Sequence, residues 1–247
     1  MRQLVMLSGP SCVGKGPLHS ALKRIYPELE CRLQKLVLFN SRSPRPGEQD
    51  GIDYHFRHRQ EVEALRDREG YVVLDVRGDL QALDIAALRE VLSGEKDPFF
   101  EGNPFVPMAI INSPSLAGVR KLSVFLAPLS REEILYLKEP GTGVSLPDFL
   151  TDVQRRKLLH RTRKQKTILS LKDLENIERR AGSAYHEMKL AHHFDAVIPT
   201  HDGEGNDNWD AFYHPIGDAR RALLAFAAIL RGQPAEYAER WEPKLLE

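Results

Sequence analysis

Seven residues near the start of the chain have the types and spacing of a phosphate cradle. Gly9-Pro-Ser-Cys-Val-Gly14-Lys15 follows the apolar run Leu4 to Leu7 and opens a helical pattern from about Lys15 to Ile25, which Pro27 ends. A glycine loop between a buried strand and a helix aims backbone N–H groups and the positive helix end at phosphate oxygens. Lys15 is then placed to reach the β- and γ-phosphates of a nucleoside triphosphate. The alternative is a glycine-rich turn with no ligand. The cradle as read spans Gly9, Pro10, Ser11, Cys12, Val13, Gly14, Lys15, Gly16 and Pro17. Its last two residues are unusual. Gly16 stands where a Ser or Thr hydroxyl would serve Mg²⁺, and a water could take that ligand position. Pro17 is compatible with the first helical turn, where N–H groups have no intrahelical partner.

A second anion site is written between Ser41 and Phe56. Arg42 and Arg45 are three apart within Ser-Arg-Ser-Pro-Arg-Pro-Gly-Glu, so prolines and a glycine turn hold two guanidinium forks together, and the Tyr54 hydroxyl supplies a further donor. A charged surface hairpin reads the same way.

The elements that must position these groups alternate as in an α/β protein. Strands are expected at Leu4 to Leu7, Lys35 to Phe39, Tyr71 to Val76, Met108 to Ile111, Leu122 to Leu126 and Ala196 to Ile198. Helices are expected over Asp84 to Leu92, over Ser130 to Lys138 with its Ser-Arg-Glu-Glu cap, and near Asp218 to Leu230. The densely charged stretches Asp148 to Lys164 and Leu171 to His193 read as solvent-facing helices. Loops are expected at Glu139 to Pro147 and His201 to Asn208. Together these imply a doubly wound parallel sheet.

Composition narrows the function classes. The 247 residues carry 35 Lys and Arg against 35 Asp and Glu, so no global field draws nucleic acid or an anionic membrane, and any anion must be captured locally. Cys12 and Cys31 are too few for a disulfide framework, and neither lies in a zinc-like cluster. The apolar stretch in Met1 to Leu7 is too short for a signal peptide, and no run is long enough for a bilayer. A cytoplasmic chain with reduced thiols is expected.

The two motifs together, Gly-Pro-Ser-x-x-Gly-Lys and then Ser-Arg-x-Pro-Arg-x-Gly-Glu-x-x-Gly-x-x-Tyr-x-Phe, resemble the guanylate kinase family over residues 1 to about 70. The resemblance implies a P-loop NTPase-type sheet with a small substrate-binding subdomain at about 35–95, a lid and helical insertion at about 140–190, and a C-terminal helix and tail at 218–247, all in one domain. It implies transfer of a phosphoryl group from ATP, with Mg²⁺, to GMP or dGMP. Arg42, Arg45 and Tyr54 would hold the acceptor phosphate, with Glu48 bracing the loop. Glu178-Arg-Arg180-Ala-Gly-Ser-Ala-Tyr-His-Glu187 is similar to the family's lid helix, which makes Arg180 a lid arginine; Arg161 and Arg163 are the candidates for the other. These cations, with Lys15, would neutralise charge on the transferring group.

Several positions depart from the family pattern. Leu38 stands four residues before Arg42 where a serine is expected, Val73 falls on an acidic position, and Asp79-Leu-Gln-Ala-Leu-Asp84 replaces the small domain's tyrosines and glycine. The strand expected to end in acidic residues is read as Met108 to Ser113, which offers only Asn112 and Ser113. Asp75, ending an apolar strand, remains a possible base or metal contact; a strand-terminal aspartate in a turn reads equally. These departures leave two other functions open, a non-catalytic nucleotide- or protein-binding module and a P-loop kinase of another phosphorylated small molecule. Nothing in the sequence sets the oligomeric state.

Overall fold

The computed structural model describes residues 2–45 and 47–247; Pro46, one of the prolines of the second motif, lies outside them. The chain runs β1 (Leu4–Ser8), α1 (Lys15–Ile25), α2 (Pro27–Glu30), β2 (Leu33–Lys35), β3 (Phe39–Asn40), β4 (His55–Phe56), α3 (Arg59–Glu63), β5 (Tyr71–Val76), β6 (Asp79–Asp84), α4 (Ile85–Ser93), β7 (Asp97–Gly102) and α5 (Phe105–Ile111). It continues with β8 (Lys121–Ala127), α6 (Arg131–Leu137), α7 (Leu146–Gln165), α8 (Leu171–Gly182), α9 (Ala184–Met188), β9 (Ala196–Pro199) and α10 (Gly217–Leu230). One sheet has the order β2-β7-β1-β8-β9, with β2 parallel to β7 and β8 parallel to β9. The chain leaves and re-enters this sheet through helices, the α/β pattern expected from the sequence.

Two compact units divide the chain. The first holds residues up to Met6, Arg32–Phe100 and Phe105–Leu122. Within it β4-β3-β6-β5 form a mixed sheet, β3 parallel to β4 and antiparallel to β6. Period-2 alternation splits this sheet's side chains. Phe39, Tyr71, Val73, Leu80 and Ala82 pack with Val62 of α3, whereas Leu38, Leu83, Val72 and Leu74 join a larger core with Phe100 and Ile110. Asp84 ends β6 and caps α4, accepting from the N–H groups of Ala86 and Ala87 at 2.8 and 3.1 Å.

The second unit holds Leu7–Cys31, Glu101–Pro104 and Ser123–Glu247. Phe125 of β8 meets Phe194 edge-to-face with centroids 5.2 Å apart in its core. Ser130 and Glu133 close the expected capping box at the start of α6. Leu158 of α7 and Ile177 and Ala181 of α8 pack on Cys12, which fastens the charged helix pair to the glycine loop.

Three expected elements come out differently. Met108 to Ile111 is not a strand but the end of α5, and Asn112 lies just beyond it, its N–H bonded to the Met108 carbonyl. The strand is β7, whose apolar middle, Phe99 and Phe100, is masked in sequence by Pro98, Asp97 and Glu101; a short apolar run such as Met108-Ala-Ile-Ile does not distinguish strand from helix. Lys35 to Phe39 is not one strand: its ends belong to β2 and β3, in different sheets. Leu171 to His193 is broken at Ser183 into α8, α9 and a short turn.

Candidate functional site

The glycine loop has the backbone a phosphate cradle needs. Gly9 has φ +147°, and a Cβ there would lie 2.3 Å from the Leu126 carbonyl oxygen; Gly14 has φ +112°, and its Cβ would lie 2.7 Å from the Asp202 carbonyl oxygen. Neither position tolerates a side chain. Cys12 adopts the left-handed region at φ 66° without being glycine, a strained geometry held by burial, with its Sγ directed at the carbonyls of Lys157 and Glu204. That burial, reinforced by the Glu204 charge, pushes the thiol up to about 11 against the opposing Arg161, Arg180 and Lys157. Lys15 is buried and donates from Nζ to the carbonyls of Gly9 and Pro10 at 2.9 and 2.8 Å, closing the loop around itself. Helix α1 survives Pro17: its first intrahelical bond, from the Leu18 N–H to the Gly14 carbonyl, begins one residue later.

Helices α7 and α8 bring cations to this loop. Arg180 on α8 is 8% exposed and donates from Nε to Ser11 Oγ at 3.0 Å. Arg161 on α7 pairs from Nη1 with Glu204 Oε2 at 2.7 Å. Arg163 is exposed in the last turn of α7, about 200° round the helix from Arg161. Of the two candidates, the α7 face packed on the loop carries Arg161. One turn earlier, Lys157 has a buried Nζ with no hydrogen-bond partner among the described residues, and burial lowers its pKa to about 8.

Two acidic residues here escaped sequence reading. Glu101 is the last residue but one of β7, and a Cβ on Gly16 would lie 3.6 Å from its Oε1. The missing hydroxyl of the loop is thus matched by a carboxylate beside the same backbone, held by His19 Nδ1 at 3.3 Å from Oε2. It was hidden because β7 was not recognised; Phe-Phe-Glu-Gly after a turn was the available signal. Glu204 lies in the expected loop after β9, where nothing local marks it.

The second motif folds in the first unit as the β3–β4 connection. Glu48 is its hub: its oxygens accept from Arg42 Nη1 and Nη2, both at 2.6 Å, and from the Arg45 N–H at 2.7 Å. Burial works to raise the Glu48 pKa, but the Arg42 and Arg45 bonds outweigh it and hold it below the usual carboxylate range. Arg42 also lies over the rings of Tyr54 and Phe56, 5.2 and 5.4 Å from their centroids. Asn40 fixes the start of the loop by accepting the Arg42 N–H at 3.2 Å. Arg42, Arg45, Glu48 and Tyr54 are therefore brought together. Asp75 is not among them: its Oδ1 accepts the Gly78 N–H at 2.8 Å in the β5–β6 turn. Leu38 and Val73, at positions where base-reading groups were expected, pack into the two apolar clusters of this unit.

A strand, glycine loop and helix leading into a five-stranded sheet with parallel neighbours define the P-loop NTPase type of α/β protein. No protein-family model matches the chain. Curated relatives named guanylate kinase do: one from Synechococcus is 51% identical over 59 residues, covering 24% of this chain and 25% of the relative. One from Halalkalibacterium halodurans is 34% identical over 99 residues, covering 40% and 47%. One from Bacillus subtilis is 31% identical over 132 residues, covering 53% and 61%. The chain thus spans between a quarter and three fifths of the length of these relatives. The crystal structure of guanylate kinase from Anaplasma phagocytophilum shares the fold, with a TM-score of 0.54 at 17% identity, covering 94% of this chain and 85% of that one. Over these stretches the chain is similar in sequence to guanylate kinases, and it shares their fold. Among the described residues no helix is long and apolar enough to cross a membrane, and no group of three or more His, Cys, Asp or Glu is arranged to hold a metal.

Proposed function

We propose that the chain is a nucleoside-monophosphate kinase, transferring the γ-phosphoryl of ATP to a phosphate oxygen of a monophosphate acceptor and releasing ADP. The observation that carries this reading is the convergence of Arg180 and Arg161 on the Gly9–Lys15 loop, which gives a triphosphate site a cationic cover from the lid helices. The donor would be held by the loop from Gly9 to Pro17. Arg42, Arg45 and Tyr54 would hold the acceptor phosphate, with Glu48 fixing both arginines. Little covalent chemistry is required of the protein; alignment of two anions and neutralisation of charge supply the rate. Lys15, Arg161 and Arg180 are the groups assigned to that charge.

Mg²⁺ fits this site in a limited way. Glu101 beside Gly16 would offer one carboxylate, with water and phosphate oxygens as the ligands such an ion would otherwise take. When bound, the ion supplies neutralisation of the phosphate charge. Asn112, outside the sheet, has no part in it.

The acceptor implied by the family is GMP or dGMP. The core position of Leu38 favours a second reading, in which the acceptor is a phosphorylated molecule with a different group beside the phosphate, because a site discriminates through the polar partners it presents. Incubation with Mg·ATP and a panel of nucleoside and sugar monophosphates, with products resolved by chromatography, decides between them. A single preferred nucleotide supports the first reading and a sugar phosphate the second. No phosphorylated product from any acceptor, with ATP still bound, removes both in favour of a non-catalytic binding module. Lys15→Ala is expected to abolish turnover.

A further inference from the structure

A site for phosphates is lined with cations, and Glu204 is a carboxylate placed among them. It pairs with Arg161 Nη1 at 2.7 Å, and Lys15 and Arg180 lie near enough to stabilise its charge. Burial disfavours that charge, yet the three cations keep the group below the ordinary carboxylate range.

The position of Glu204 is set by backbone. Its N–H bonds the Cys12 carbonyl at 3.2 Å, and Cys12 Sγ lies 3.7 Å from the Glu204 carbonyl. A Cβ on the preceding residue, Gly203, would lie 2.6 Å from the Cys12 carbonyl oxygen, so this loop and the glycine loop meet backbone to backbone. Trp209 locks the far side: it is 1% exposed, donates from Nε1 to the Asp202 carbonyl at 3.0 Å, and fills the space beside Gly14. The carboxylate is therefore held at the cradle by a packed loop.

We propose that Glu204 competes with the donor's phosphate oxygens for Arg161, and so sets how tightly the cradle holds a triphosphate. A carboxylate and a phosphoryl oxygen make the same charge-assisted bond to a guanidinium, and one fork serves them in exchange. The donor thus gains Arg161 only by displacing Glu204. This inference rests on the donor-site reading above.

The test measures binding of Mg·ATP, and of inorganic tripolyphosphate as a probe without a base, by calorimetry on the full chain. Glu204→Gln is expected to lower Kd for both by about tenfold, the order of one charge-assisted bond no longer exchanged. In an Arg161→Ala background the same substitution is expected to change Kd less than about twofold, because the contested group is gone. Glu204→Ala, which keeps the backbone bonds to Cys12, is expected to act in the same direction and covers a folding failure of the first variant. Unchanged or weaker binding in the Glu204 variants, with wild type binding ATP, overturns the inference alone and makes Glu204 a brace for Arg161. Absence of binding in wild type and variants alike overturns the donor-site reading and the inference with it.

Discussion

Glu48→Gln is the most incisive perturbation of the loop that carries Arg42 and Arg45. The carboxylate accepts three N–H groups at 2.6, 2.6 and 2.7 Å, and its side chain is only 20% exposed. Glutamine keeps one acceptor oxygen but turns an NH₂ donor toward the Arg42 guanidinium, itself 13% exposed, so one partly buried charge loses its counter-ion and one bond becomes a donor–donor contact. Hydrogen bonds to charged groups contribute about 1.5–3 kcal/mol each, and discounting for partial exposure leaves a cost of about 2 kcal/mol. With Arg42 and Arg45 in their proposed role at the acceptor phosphate, that cost is expected as a fall of about thirtyfold in kcat/KM for the acceptor, with KM for ATP little changed. Steady-state kinetics at saturating ATP measure it, and urea unfolding reports the stability share. The pH dependence has a definite sign. Glu48 has a depressed folded pKa, so its contribution is complete above the unfolded value of 4.5 and is lost as pH falls below it. The Gln variant should lack that acid-side loss. An acceptor kcat/KM within about threefold of wild type, or a loss falling on ATP, refutes the reasoning.

Three further outcomes follow from the second unit. Gly14→Ala is expected to abolish ATP binding in calorimetry and lower stability by about 2–4 kcal/mol, since its Cβ would lie 2.7 Å from the Asp202 carbonyl oxygen at a positive φ. Under native conditions iodoacetamide should modify exposed Cys31 and leave Cys12 untouched until unfolding, because burial raises the Cys12 pKa to about 11; mass spectrometry reads both. His201, bonded to Glu133 and Asp218, has its pKa raised to about 9, so its contribution is complete below the ordinary 6.5 and is lost as pH rises through 9. His201→Gln should flatten the thermal-melt profile over that window, by about 1 kcal/mol or less at this half-exposed position.

The parts of the site that could be read in advance are those in which the chemistry is contiguous. Gly9 to Lys15 is a local backbone device, and Arg42, Arg45, Glu48 and Tyr54 lie within one loop, so spacing alone brings them together. β7 was missed because Pro98 and polar flanks disguise its apolar pair, and the loss of that strand concealed Glu101. The choice between Arg161 and Arg163 depended on which face of α7 packs on Cys12, a matter of rotation that a uniformly charged helix does not display in its sequence.

The sequence by itself determined a glycine loop of P-loop spacing and a closely spaced pair of arginines on an α/β frame, because glycine conformation, helix starts and turn geometry are local properties. Only the tertiary structure decided that Glu101 stands beside Gly16, that Leu38 is spent on the core, and that Glu204 meets Cys12 of the glycine loop from 192 residues further along the chain. Those placements depend on packing between distant segments, where side-chain direction and burial, rather than spacing, choose the partners.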